Sequence, residues 1–147
     1  MLHIEHHWVA PDSVKNNVNN YRLSTSRYWS VKGLLPNDFH ATARFEFSGM
    51  SSTGFLDQDL LSVSNDSIVL LYREGAHDDW QEYPYYTRTT VSTLPLGFFA
   101  VDSLLMGEYT YANSPNAVGI NEQIVNNNAF TLYPNPTSDF VRISAGE

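Results

Sequence analysis

At 147 residues, 42% hydrophobic and 14% aromatic, the chain has material for one packed domain and a tail, and global disorder is excluded. Its 8 basic residues against 16 acidic ones give a net charge of −8, which repels phosphate backbones and anionic membrane surfaces. The absence of cysteine removes disulfides and thiolate metal sites, and no apolar run approaches the length of a bilayer span.

The basic residues Arg22, Arg27, Lys32, Arg44, Arg73 and Arg88 stand singly, so neither nucleic acid nor membrane insertion is expected. At the N-terminus Leu2, Ile4, His6 and Trp8 alternate with His3, Glu5 and His7, the period of a strand, and Pro11-Asp12 ends it. Ser13 to Asn20 is a polar loop. Tyr21 to Val31 is β-prone, and Gly33 and Pro36-Asn37-Asp38 stop it. From His40 to Ser48, Ala41, Ala43, Phe45 and Phe47 oppose Thr42, Arg44 and Glu46, which predicts a half-buried strand.

After a loop from Gly49 to Gly54, Leu56 to Leu61 suits a short helical turn, and Asn65-Asp66 a turn into Ser67–Arg73. Ser67–Arg73 is apolar without alternation, as in a strand covered on both faces. Gly75 to Asp79 predicts a hairpin tip with return through Trp80–Tyr83, and Pro84 breaks it before Tyr85 to Val91. Leu96–Val101 and Gly107–Tyr111 are further strands. About eight strands with turn signals about every ten residues predict an all-β fold. The expected architecture is an antiparallel β-sandwich over residues 1–112, immunoglobulin/fibronectin-like or jelly-roll-like. Residues 113–128 read as an Asn-rich linker, and no internal repeat is present.

Residues 129–147 form the tail. Phe130 and Leu132, then Phe140, Val141 and Ile143, are strand-like; between them Pro134 and Pro136 fix φ, and Asn135 and Thr137-Ser138-Asp139 close turns. The string Leu132-Tyr133-Pro134-Asn135-Pro136-Thr137-Ser138-Asp139 resembles the opening of the C-terminal sorting domain that Bacteroidetes proteins use for export through the type IX secretion system. Val118–Glu122 is similar to the spacer ahead of that domain. The resemblance implies a secreted or outer-membrane cell-surface location. It also implies recognition of the complete tail by the type IX machinery, with Leu132, Tyr133, Pro134, Asn135, Pro136, Thr137 and Asp139 as the sorting motif. Further strands follow in the family, so the tail is expected to be a truncated start. Met1 to Trp8 lacks the basic and apolar regions of a signal peptide, so the chain is expected to be an excerpt.

Three groups of residues are candidate sites. His3, Glu5 and His7 share one face of the first strand and could hold a metal, or form a solvent-facing polar face. Asp57, Asp59 and Asp66, with Asn65, offer hard oxygen ligands for a structural calcium, or cap turns. Trp80, with Tyr83 and Asp79, is the expected centre of an aromatic platform for sugars, against core packing of the same rings. No Gly-x-Ser-x-Gly elbow or His-Glu-x-x-His signature occurs, and no catalytic residue is expected.

Arg27–Gly33 and Ser67–Arg73 resemble β-rich segments late in secreted Bacteroidetes aminopeptidases of the zinc-dependent M1 type. That resemblance implies a zinc site upstream, and an accessory role beside a catalytic or adhesive domain of the same protein. The expected function is thus a non-catalytic module with no cofactor beyond, at most, calcium. A carbohydrate-binding module and a hydrolytic domain of unrecognised type are the alternatives.

Overall fold

Strands form where aromatic and β-branched residues alternate with polar ones, and here they assemble into two antiparallel sheets of a sandwich and a separate two-stranded pair in the tail. The computed structural model describes residues 1–34, 40–50, 56–61, 67–90 and 94–115, with the backbone alone of 130–133 and 142–145. In chain order these form β1 (Leu2–His7), β2 (Arg22–Gly33), β3 (Ala43–Ser48), a one-turn helix α1 (Gln58–Leu61) and β4 (Ile68–Arg73). There follow β5 (Gln81–Glu82), β6 (Tyr86–Thr90), β7 (Leu96–Val101), β8 (Gly107–Asn113), β9 (Phe130–Tyr133) and β10 (Arg142–Ala145).

One sheet has the order β1-β2-β8-β4-β5 and the other β3-β7-β6. The expected all-β sandwich is what forms. Its interior is where Trp29, Val31, Ile68, Leu70, Tyr109 and Tyr111 of the wider sheet meet Phe45, Phe47, Phe99 and Val101 of the narrower. Each such side chain contributes roughly 1.5–3 kcal/mol by leaving water. The rings interlock edge to face: Trp29 lies 5.1 Å from both Phe45 and Tyr111. Tyrosine tips buried among them keep partners, the Tyr111 hydroxyl donating to Glu46 O at 2.9 Å and that of Tyr109 to Leu105 O at 3.0 Å.

β4 explains its own lack of alternation. Ile68 and Leu70 face the other sheet, while Val69 and Leu71 face a second cluster with Tyr21, Trp80 and Ala112. Val14 and Leu23 pack at the margin of that cluster, so the β1–β2 connection is the outer cover. Next to Leu23, which pairs with Ala112, β8 extends beyond the expected strand end. Asn113, expected as the first linker residue, is buried and donates from Nδ2 to Leu60 O at 3.0 Å. Ser114 N then bonds Ser67 O at 2.8 Å.

β9 and β10 pair antiparallel, with Tyr133 opposite Arg142. Of the residues expected in the two tail strands, Phe130 and Leu132 lie on β9 and Ile143 on β10, while Phe140 and Val141 lie outside the described residues. Pro134, Asn135, Pro136, Thr137 and Asp139 lie outside the described residues, as do the linker positions 116–129. Among the described residues no helix is long and apolar enough to cross a membrane.

Candidate functional site

The outward face of the wider sheet brings several titratable side chains near one another. On β1 the expected shared face exists: His3 Nε2 lies 3.4 Å and His7 Nε2 3.7 Å from the Glu5 carboxylate. Pairing of Glu5 with Ser30 on β2 adds a fourth member that the β1 pattern alone does not reveal. Ser30 Oγ lies 3.0 Å from His7 Nε2 and donates to Glu5 Oε2 at 3.3 Å. His7 also stacks on Tyr28, ring centres 4.3 Å apart.

Serine, histidine and glutamate side by side invite a nucleophile reading, and the geometry argues against it. A relay needs the acid on one imidazole nitrogen and the hydroxyl on the other. Here Glu5 and Ser30 both approach Nε2, and Ser30 is only 2% exposed. The three atoms close a triangle that fastens β1 to β2. As a metal site the group is also incomplete: among the described residues no three His, Asp or Glu side chains are placed to hold an ion. His3 and Glu5 stand largely in solvent, and the Glu5 carboxylate is already met by His3, His7 and the Ser30 hydroxyl.

Beside this face, Arg73 is a node. Its guanidinium contacts Glu108 Oε2 (2.7 Å from Nε) and Asp12 Oδ2 (2.9 Å from Nη1), and lies 4.2 Å over the Trp80 ring. The hydrogen bond from Arg73 holds the Asp12 carboxyl below its ordinary range. Trp80 donates from Nε1 to Asp12 O at 3.0 Å and is only 3% exposed. Tyr83, 1% exposed, donates its hydroxyl to Ser103 O. The expected sugar platform is therefore corrected. Both rings are core, because the segment after Pro11 folds over the hairpin that seemed to present Trp80. Asp79, its expected polar companion, accepts from the amides of Lys15 (2.9 Å), Asn16 (2.8 Å) and Trp80 (2.9 Å). Those amides lower the Asp79 pKa, that of Lys15 most.

The expected calcium ligands meet a cation of the protein's own. A register shift in β2 between Leu23 and Tyr28 frees amides that Ser24 Oγ accepts, from Ser26 at 3.2 Å and Arg27 at 3.3 Å. Arg27 lies close to the rings of Trp29 (4.9 Å) and Tyr111 (5.0 Å) and bonds Asp57 through Nε at 3.0 Å. Asp57 Oδ2 also accepts the Ser48 amide at 2.9 Å, and its carbonyl starts α1. Burial pushes this carboxyl up, and Arg27 and the Ser48 amide pull it back. Asp59 accepts the Thr25 hydroxyl at 2.9 Å, while Asp66 and Asn65 lie outside the described residues. With the guanidinium on Asp57, its oxygens are engaged without calcium.

Next to Arg27 an open groove of about 490 Å³ is lined in part by Trp8, Arg44, Glu46 and Phe98. Its charges are mutually satisfied, Arg44 pairing with Glu46 at 3.2 Å and lying 3.7 Å over Phe98. Sequence reasoning missed Arg27, Arg73, Asp12, Glu108 and Ser30. Cross-strand register was the missing signal. Comparison with known proteins found no matching family model, curated protein or solved structure.

Proposed function

We propose that the chain is a non-catalytic β-sandwich module of a secreted or cell-surface protein, followed by the start of a type IX sorting tail. The observation that carries this reading is the pairing of the tail. Leu132 and Tyr133 lie on β9, which pairs with β10 and with no described strand of the sandwich. A label whose strands bond each other, rather than the described strands of the cargo, suits recognition by an export machine.

The accessory half of the reading is supported by where the charges are engaged. Arg27 with Asp57, Arg73 with Asp12 and Glu108, and Lys15 with Ala76 and His77 carbonyls all join one segment of the sandwich to another. Such a body spaces or steadies an upstream catalytic or adhesive domain of the same protein, in the M1-type reading a zinc peptidase.

The test is export of the full-length gene product in a Bacteroidetes host with and without a working type IX translocon. The expected result is surface material cleaved by added protease only when the translocon works, and periplasmic retention once residues from Phe130 onward are deleted. Surface delivery that ignores that deletion, or an intact product confined to the cytosol, overturns the proposal.

A further inference from the structure

The four edges of the two sheets are not alike. β5 is two residues long and β6 carries Arg88 at its middle, both features that discourage pairing with another chain. On β3 the Glu46 carbonyl accepts from Arg27 at 2.8 Å and from the Tyr111 hydroxyl at 2.9 Å. β1 has no such guard. It is six residues long, contains no proline, lysine or register shift, and leaves Ile4 51% exposed.

Its free hydrogen-bonding groups can be assigned. Met1 and Leu34 exchange both backbone bonds, Met1 N to Leu34 O at 3.0 Å and Leu34 N to Met1 O at 3.3 Å. Such pairs alternate along an antiparallel ladder, and Leu2 stands opposite Gly33. His3, Glu5 and His7 therefore direct their amides and carbonyls to β2. Those of Leu2, Ile4 and His6 point to the open edge.

We propose that β1 pairs antiparallel with β1 of a second copy about a twofold axis at Ile4, joining two five-stranded sheets into one. In that register Ile4 faces Ile4, and the edge groups of Leu2 meet those of His6. His3 faces Glu5 at both non-hydrogen-bonded positions, where opposing side chains come closest. A slip of two residues sets His3 on His3 in one direction and Glu5 on Glu5 in the other. Opposite polarity of the strand against itself thus selects this chain as its own partner. The area is small for a protein interface, so the dimer is weak and reversible. This inference stands apart from the export reading.

Sedimentation of the 147-residue chain across micromolar to millimolar concentration tests it, with a monomer–dimer equilibrium expected. Ile4→Pro removes a donor that faces only the edge, a position where a strand tolerates proline, and weakens the dimer at least about tenfold. His3→Glu weakens it likewise, and the exchange His3→Glu with Glu5→His restores it, each variant checked for native circular dichroism. A monomer at every concentration, a dimer indifferent to Ile4→Pro, or an exchange no better than His3→Glu alone overturns the proposal.

Discussion

Arg27 grips Asp57 with two parallel bonds, from Nε to Oδ1 at 3.0 Å and from Nη2 to Oδ2 at 2.5 Å, and so ties the irregular part of β2 to the start of α1. Asp57 is 1% exposed and the Arg27 side chain 12%, so each neutralises the other out of water.

Removing one partner is therefore worse than removing both. Asp57→Ala strands the guanidinium and the Ser48 amide, and is expected to lower stability by about 3–5 kcal/mol. Arg27→Met combined with Asp57→Leu is expected to recover most of that loss. Urea unfolding of the two single variants and the double measures it; additive losses would contradict a coupled pair.

Acid should loosen the segment after β1 first. Asp12 and Asp79 both have folded pKa values below their unfolded ones, through the Arg73 hydrogen bond and the Lys15 amide respectively. Their contribution is complete above the unfolded value of about 3.9 and is lost as pH falls below it. Asp57, shifted upward, does not add to this acid sensitivity. Amide exchange read by NMR between neutral and acid pH should show Lys15 and Asn16 losing protection before β4 does.

Trp80→Ala is expected to act on stability, with a loss of about 3–5 kcal/mol. The indole fills the cluster with Val69 and Leu71 and bonds the Asp12 carbonyl. A denaturant midpoint unchanged by this substitution would return Trp80 to the surface.

Alkaline unfolding should be cooperative with tyrosine ionisation. Burial raises the pKa values of Tyr86, Tyr109 and Tyr111, with the Glu82 hydrogen bond adding to the effect at Tyr86. The folded state thus favours the neutral phenol. That stabilisation is complete below the unfolded value of about 10 and declines as pH rises beyond it. Tyrosinate absorbance and circular dichroism should change together in one step; gradual titration with the fold intact would refute it.

Gly107 has φ of +143°, and a Cβ there would come within 2.6 Å of the Tyr72 ring and closer to the Arg73 carbonyl. Gly107→Ala is expected to lower stability by about 2 kcal/mol or more, because strain and overlap both act. Thermal unfolding measures the shift.

Much of the fold was legible because alternation maps directly onto a face. Phe45 and Phe47, read as one side of a strand, are buried together in β3, and the plain apolar run of β4 is buried on both sides. Pairing order was not legible, since nothing local in Gly107–Asn113 says that its neighbours are β2 and β4. The candidate site failed for the same reason. Glu5 meets Ser30, and Trp80 meets Asp12, across sequence separations that no short window spans. Asp57 looked like a calcium ligand because its partner Arg27 sits far upstream on a shifted strand.

The place of β8 also bears on synthesis. It is the last strand of the sandwich to leave the ribosome, yet it lies between β2 and β4. Until Gly107–Asn113 emerges, β1 with β2 and β4 with β5 are separate hairpins with bare inner margins. The nascent polypeptide therefore cannot complete its wider sheet early, and chaperones that shield apolar edges have the longest claim on this stretch.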